Sequence, residues 1–183
     1  SADAKAFFDQ ISSKLTLVVL GGSLGSSSIN QLIAANLQTF EKKGLQLIWQ
    51  CGSLYYDQYK NFQNDRIKII PFVAEMDQLY AAADIIISRS GAATLSELCC
   101  VALPALLVPS PNVAENHQYH NAMALANKAA ALVITEKYLD QNFEEVLNQL
   151  LDPIKQEEMS KNLKELAQPK ATSQIVDLIE ALL

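Results

Sequence analysis

The residue types able to do chemistry gather in Arg89 to Pro109, RSGAATLSELCCVALPALLVP, which is fed by the apolar run DIIIS. Asp84 to Ser88 reads as a buried strand, Ser90 and Gly91 as a tight turn, Ala92 to Val101 as a helix, and Ala105 to Val108 as the next strand. That is one β-α-β unit in about 25 residues, the usual length of such a crossover. It leaves free backbone N–H groups at the start of its helix, aimed past the carboxyl end of a strand, where an anion is welcome. Glu97 follows Thr94 by three residues, one turn into the helix. A carboxylate there repels phosphate but accepts hydrogen bonds from a vicinal diol. Thr94 and Glu97 together therefore suit a nucleotide, with diphosphate on the amides and ribose on the acid. The same pair also has the pattern of a capping box that only starts a helix, and taken alone that reading suffices.

A second glycine-rich stretch, GGSLG at Gly21 to Gly25, follows an apolar run and opens a helix, as a phosphate-binding turn must. It is not the GxGxxG fingerprint, no acidic residue closes the next strand, and the Lys of a P-loop is missing, which disfavours NAD and P-loop nucleotide sites. In isolation, glycines serving only a tight turn explain it as well. Phe72 and Val73 end another apolar run just ahead of a helix, where a free backbone N–H and C=O can pair with the edge of a planar base. His117 and His120 lie one turn apart, but no third ligand completes a metal site. Gln118 and Asn121 donate and accept, which suits sugar hydroxyls and an ordinary helix surface alike. Tyr55, Tyr56 and Tyr59 suit packing better than stacking on a ligand. Ser23, Ser90 and Ser96 lack a His and Asp pattern, which argues against a nucleophilic hydrolase. No paired carboxylates stand out for glycoside hydrolysis.

Positioning these residues falls to alternating strands and helices. Leu15 to Leu20 (LTLVVL) is continuously apolar, the mark of a strand covered on both faces. A helix from Ile29 carries Leu32, Ile33, Ala35 and Leu37 and is closed by Gly44. Leu45 to Cys51 is the second strand and Ile67 to Val73 the third, with Pro71 implying a sheet edge or a strand end. A short helix, Glu75 to Ala83, precedes DIIIS. A helix from His117 to Lys128 and a strand from Ala131 to Thr135 follow, and Asp140 to Leu183 is helical, broken at Pro153 and Pro169. Six strands separated by helices predict an α/β fold with a doubly wound parallel sheet, its strand-to-loop glycines on one rim. Ala4 to Ile11 reads as a short helix that packs on something upstream.

At 183 residues, half of them hydrophobic, the chain is long enough to bury a core as one domain. A formal net charge of −6 and only two arginines argue against a nucleic-acid partner and supply no basic cluster for an acidic membrane. The three cysteines have no metal-ligand spacing and read as reduced, buried thiols of a cytoplasmic protein. No apolar run approaches the ~18 residues of a membrane span, and the amino terminus lacks the regions of a signal peptide.

GGSLGSSSIN, PFVAEM, RSGAATLSE, LPALLVP and AENHQYHNA occur in the order and spacing of one family. Over nearly its whole length the chain resembles the carboxyl-terminal half of the family 28 peptidoglycan glycosyltransferases, which add N-acetylglucosamine to lipid I and so make lipid II. The resemblance implies a Rossmann-like domain spanning residues 1–183, one half of a GT-B glycosyltransferase, that binds UDP-N-acetylglucosamine. It implies an inverting transfer that needs a separate amino-terminal, acceptor-binding domain for lipid I and for the base, so that this chain alone is inactive. Position by position, it implies Ser23 beside the donor and the interdomain cleft, and the backbone of Val73 reading uracil. It implies that Ala92, Ala93, Thr94, Leu95, Ser96 and Glu97 hold the donor, with Glu97 on the ribose, and that Gln118 touches the sugar. Gly21, Gly22, Gly25, Phe72, Gly91, Asn116, His117 and Asn121 are expected around them.

No catalytic residue, cofactor or metal is assigned to this chain by the resemblance, and divalent-cation dependence is left open. The expected location is cytoplasmic, with the whole enzyme peripheral on the inner membrane. Two departures stand out: Ala102 where the family commonly has glycine, and Ser26 where it usually has alanine, both expected to touch packing more than chemistry. Two other readings stay open. One is the free-standing donor-binding subunit of a bipartite polyprenol-linked N-acetylglucosaminyltransferase, and the other is a non-catalytic nucleotide-binding interaction domain.

Overall fold

The computed structural model describes residues 1–180. In chain order it holds α1 (Ala2–Phe7), β1 (Thr16–Leu20), α2 (Ser27–Ala35), α3 (Leu37–Lys42), β2 (Gln46–Gln50), α4 (Tyr56–Tyr59), β3 (Ile67–Ile70) and α5 (Met76–Ala82). There follow β4 (Ile85–Ser88), α6 (Ala92–Val101), β5 (Ala105–Leu107), α7 (His117–Ala126), β6 (Leu132–Val133), α8 (Leu139–Leu150), α9 (Pro153–Leu166) and α10 (Ala171–Glu180). The six strands form one parallel sheet in the order β3-β2-β1-β4-β5-β6. Every residue of β1, β2, β4 and β5 is buried, which is why these strands read as unbroken apolar runs rather than alternating ones.

Alternation instead decides which layer each side chain joins. Leu17, Val19, Leu47, Trp49, Ile85 and Ile87 face a core closed by Ile29 and Ile33 of α2, Phe40 of α3 and Phe143 and Leu147 of α8. Val18, Leu20, Ile48, Ile86 and Leu107 face the opposite core, closed by Leu79 of α5, Leu98 of α6, Leu125 of α7 and Leu163 of α9. The sheet is therefore a middle layer between two sets of helices, the doubly wound arrangement expected above. Pro71 follows β3, an edge strand that ends at Ile70, so both meanings of that proline hold.

Several expected boundaries shift. The helix drawn through Ala35 and Leu37 is two helices: the Asn36 side chain donates to the Leu32 carbonyl at 2.8 Å, and its N–H falls back on Ile33, breaking the ladder. Phe72 and Val73 lie beyond β3 rather than in it. The last strand shrinks to Leu132–Val133 at the far edge, where it has one neighbour. The amino-terminal helix packs on its own domain. Ala4 and Phe8 join the core of Leu79, Tyr80 and Ala82, and Lys5 Nζ donates to Asp84 Oδ2 at 2.7 Å. Cys51 and Cys99 are buried, as expected, but Cys100 is exposed. The end of the helical region at residues 181–183 lies outside the described residues. Among the described residues no helix is long and apolar enough to cross a membrane.

Candidate functional site

Chain connections leave β1 and β4 in opposite directions, so a crevice opens beyond their carboxyl ends, the usual ligand position in such a sheet. A cleft of about 280 Å3 lies there. Its walls are Leu20, Gly22 and Ser23 at the end of β1, Gln50 of β2, Phe72 and Val73 past β3, and Met76 and Tyr80 of α5. Ser88 and Arg89 after β4, with Thr94 and Glu97 of α6, close it. The first glycine turn and the acid-bearing helix thus meet in one place, while Ser90 and Gly91 of the second turn lie between two wall residues, Arg89 and Thr94. A larger hollow of about 560 Å3, between α3 and Asn61 to Ile67 at the amino ends of β2 and β3, gathers none of these residues.

The turn after β1 is held on three sides. Gln50 Oε1 accepts from the Gly21 N–H at 3.0 Å while its Nε2 donates to the carbonyls of Gly22 (2.9 Å) and Pro71 (3.1 Å), which ties the glycine turn to the segment carrying Phe72 and Val73. Buried Asn30 of α2 donates to the Cys51 carbonyl at 2.8 Å and accepts from Trp49 Nε1 at 2.9 Å, fixing the helix to the end of β2. Arg89 supplies the third tie. Its Nη2 donates to Ser26 Oγ at 2.7 Å and pairs with Glu136 at 2.5 Å, while Nη1 donates to the Val108 carbonyl at 3.1 Å. Glu136 also accepts from Ser28 Oγ at 2.6 Å. Arg89 is the one cationic side chain on the cleft wall among the described residues, and its charge is already met by Glu136. Ser26 is the N-cap of α2 as well as the partner of Arg89, so this departure from the family pattern adds polar contacts and does not merely alter packing.

On the other side, α6 starts at Ala92 with Gly91 as N-cap and no side-chain cap. The first helical bond is donated by Leu95, to the Gly91 carbonyl at 3.0 Å, so the amides of Ala92, Ala93 and Thr94 have no acceptor inside the helix. The capping-box alternative fails here, because Thr94 lies inside the helix and Glu97 is bonded elsewhere. Glu97 Oε2 accepts from Tyr80 Oη at 2.6 Å. Burial of Tyr80, then this bond and the charge of Glu97, push its phenol far above the ordinary tyrosine range, so it stays a donor. Ala92, Ala93 and Ser96 are exposed, whereas the Leu95 side chain points into the core and leaves only its backbone to any ligand.

The residues expected from α7 are not on the wall of this cleft. Gln118 Oε1 accepts from the Ser110 N–H at 3.0 Å, its carbonyl accepts from Ser90 Oγ at 2.8 Å, and Asn121 Nδ2 donates to the Ser90 carbonyl at 3.2 Å. They brace the turn at Ser90 from behind. Asn116, in a left-handed conformation with φ 52°, lines a neighbouring hollow with Pro109, Ser110 and Tyr119. His117 Nδ1 lies 2.9 Å from the Ala114 carbonyl. Among the described residues, no group of three or more His, Cys, Asp or Glu is placed to hold a metal ion.

Gln50, Met76, Tyr80 and Arg89 were not singled out by sequence reasoning. Two of them carried a signal: Gln50 is a polar residue closing an apolar strand, and Arg89 is one of two arginines and directly precedes the Ser-Gly turn. Met76 and Tyr80 look like any residues of an amphipathic helix.

A parallel sheet whose switch point opens on a glycine turn and a helix start defines a Rossmann-like α/β domain. The chain belongs to glycosyltransferase family 28: residues 16–176 match the glycosyltransferase family 28 C-terminal domain. It is 49% identical over 179 residues to a Flavobacterium psychrophilum UDP-N-acetylglucosamine--N-acetylmuramyl-(pentapeptide) pyrophosphoryl-undecaprenol N-acetylglucosamine transferase, covering 97% of this chain and 49% of that protein. The protein of the same name from Christiangramia forsetii is 48% identical over 99% of this chain and 50% of its own length. The chain spans about half the length of these curated relatives. Among solved structures it is similar to Acinetobacter baumannii MurG, with a TM-score of 0.78 and 30% identity over 97% of this chain and 53% of the other.

Proposed function

We propose that the chain is the donor-binding half of an inverting N-acetylglucosaminyltransferase, holding UDP-N-acetylglucosamine for transfer to lipid I. The observation that carries this reading is the convergence of Ser23, Val73, Thr94 and Glu97 on one cleft at the switch point of the sheet. In it, the diphosphate rests on the free amides at the start of α6, uracil pairs with the backbone of Val73, and Glu97 accepts from the ribose hydroxyls. Gln118 and Asn121 lie off this cleft and contribute through the Ser90 turn that they brace ahead of those amides. The acceptor hydroxyl attacks the anomeric carbon, that carbon's bond to the diphosphate oxygen breaks, and UDP leaves with inversion. Charge growing on the diphosphate is met by the α6 amides and helix dipole, since Arg89 is engaged with Glu136. The proton of the attacking hydroxyl goes to a base on an acceptor-binding domain. On this reading the 183-residue chain is one donor domain. It works in the cytoplasm, against a membrane that its partner domain meets.

Calorimetric titration of the folded chain with UDP and with ADP is the direct test. Heat with UDP and much weaker binding of ADP is the expected result, with no transfer by the chain alone. Equal affinity for the two, or none for UDP, would overturn the reading.

A further inference from the structure

Among the polar contacts of the cleft, the bond between Tyr80 and Glu97 joins α5 to α6 across the wall. Glu97 is exposed on α6, a side chain with three free torsions that a helix surface ordinarily leaves mobile. Tyr80 is the opposite: only 8% of its surface is exposed, and its ring sits in the core with Leu79, Val73 and Leu95. Its hydroxyl emerges from that core onto the cleft wall and donates to Glu97 Oε2 at 2.6 Å, 17 residues away in sequence. A rigid donor thus grips a flexible acid. The bond uses one lone pair of one oxygen, which leaves Oε1 and the rest of Oε2 to accept from a ligand.

Tyr80 belongs to α5, which presents Met76 and Tyr80, one turn apart, to the same cleft. That helix begins three residues past Val73, the backbone proposed to read the base. One short helix therefore sets both the segment facing the base and the direction of the acid facing the sugar.

We propose that Tyr80 is a positioning residue that holds the Glu97 carboxylate ready for a ribose diol, and so makes the cleft select ribonucleotides over 2′-deoxyribonucleotides. This rests on the donor-site reading and adds to it a residue and a selectivity. A carboxylate already fixed loses less freedom when the diol binds, and the two hydroxyls meet an acceptor in the right plane. Because burial keeps the phenol protonated far above neutral pH, the grip persists across the working range.

The test uses UDP and 2′-deoxy-UDP, titrated calorimetrically into the parent chain, Tyr80→Phe, Glu97→Ala and the double variant. Parent protein is expected to prefer UDP. Tyr80→Phe, which removes one oxygen and keeps the ring in the core, is expected to lose about three- to tenfold in UDP affinity and little toward 2′-deoxy-UDP. In the Glu97→Ala background, Tyr80→Phe is expected to add no further loss, the non-additivity of a pair acting as one unit. Glu97→Gln probes the same contact from the exposed partner, without touching the core. Equal weakening of both ligands by Tyr80→Phe, or an additive loss in the double variant, would show a merely structural tyrosine and overturn the inference alone. Unchanged UDP affinity in Glu97→Ala would instead remove the ribose contact, and with it both the donor-site geometry and this inference.

Discussion

The turn that follows β1 and the turn that follows β4 both carry glycine, yet the protein needs it for different reasons. In the first, Gly25 has φ +87° and lies against Gly52, which has φ +90°. A β-carbon on Gly25 would come within 2.3 Å of the Cys51 carbonyl oxygen, and one on Gly52 within 2.2 Å of Gly25 Cα. Here the chain is packed against itself, backbone on backbone, and glycine is required twice over. In the second, Gly91 has φ −66°, which any residue adopts, and a β-carbon would meet nothing nearer than Thr94 Oγ1 at 4.0 Å. The first turn is closed by the fold, whereas the second stands open beside three amides that have no acceptor inside α6. Identical residues in similar-looking motifs therefore carry separate information. One reports on packing, and the other on space kept free.

The largest effect should come from the closed turn. Gly25→Ala combines the left-handed penalty with a clash against backbone that cannot swing aside, and is expected to destabilise by about 3 kcal/mol or more. Urea unfolding measures it as a drop in midpoint. A loss below about 1 kcal/mol would mean that the turn yields, and would erase the contrast.

How much of this was readable from the chain follows the same division between local and distant causes. The strands were legible because β1, β2 and β4 are buried on both faces, and no polar position interrupts Leu17 to Leu20 or Ile85 to Ile87. The break at Asn36 was not, because it depends on one side chain capturing the Leu32 carbonyl in place of a helical N–H. Ser23, Thr94 and Glu97 could be named since glycine turns and helix starts are local patterns. Tyr80 could not, because its partner lies 17 residues away and only the fold brings them together. The α7 residues show another limit: the sequence pattern names Gln118 and Asn121, but not that Gln118 Oε1 and Asn121 Nδ2 are engaged with Ser110 and Ser90.

A middle effect, of opposite sign, lies at the far end of α6. Ala102, one of the two departures from the family pattern, is the C-cap and has φ 54° and ψ 37°, the left-handed conformation that glycine adopts without penalty. The departure thus costs backbone strain, a different consequence from the packing change expected. Relief of about 1–2 kcal/mol of left-handed strain exceeds the extra unfolded-state entropy of glycine, about 0.4–1 kcal/mol. Ala102→Gly should therefore stabilise by about 0.5–1 kcal/mol, read as a higher urea midpoint at unchanged slope. A destabilised variant would show that the helix end tolerates alanine through contacts that outweigh its conformation.

The smallest effect on stability, and the sharpest on function, belongs to the open turn. At Gly91 alanine restricts the unfolded chain, which favours folding, but it is a poorer N-cap than glycine, which opposes it. These contributions nearly cancel, so Gly91→Ala should unfold within about 0.5 kcal/mol of the parent. The new methyl would nevertheless stand at the N-cap that adjoins the Ala92, Ala93 and Thr94 amides, where the diphosphate is proposed to rest. A crowding penalty of about 1–3 kcal/mol at a close-packed contact corresponds to a loss of about tenfold or more in UDP affinity. Calorimetry on a variant whose melting is unchanged isolates that loss from any loss of fold. Parental affinity would mean that the opening before α6 is not where the phosphates lie, and that Gly91, like Gly25, serves the chain alone.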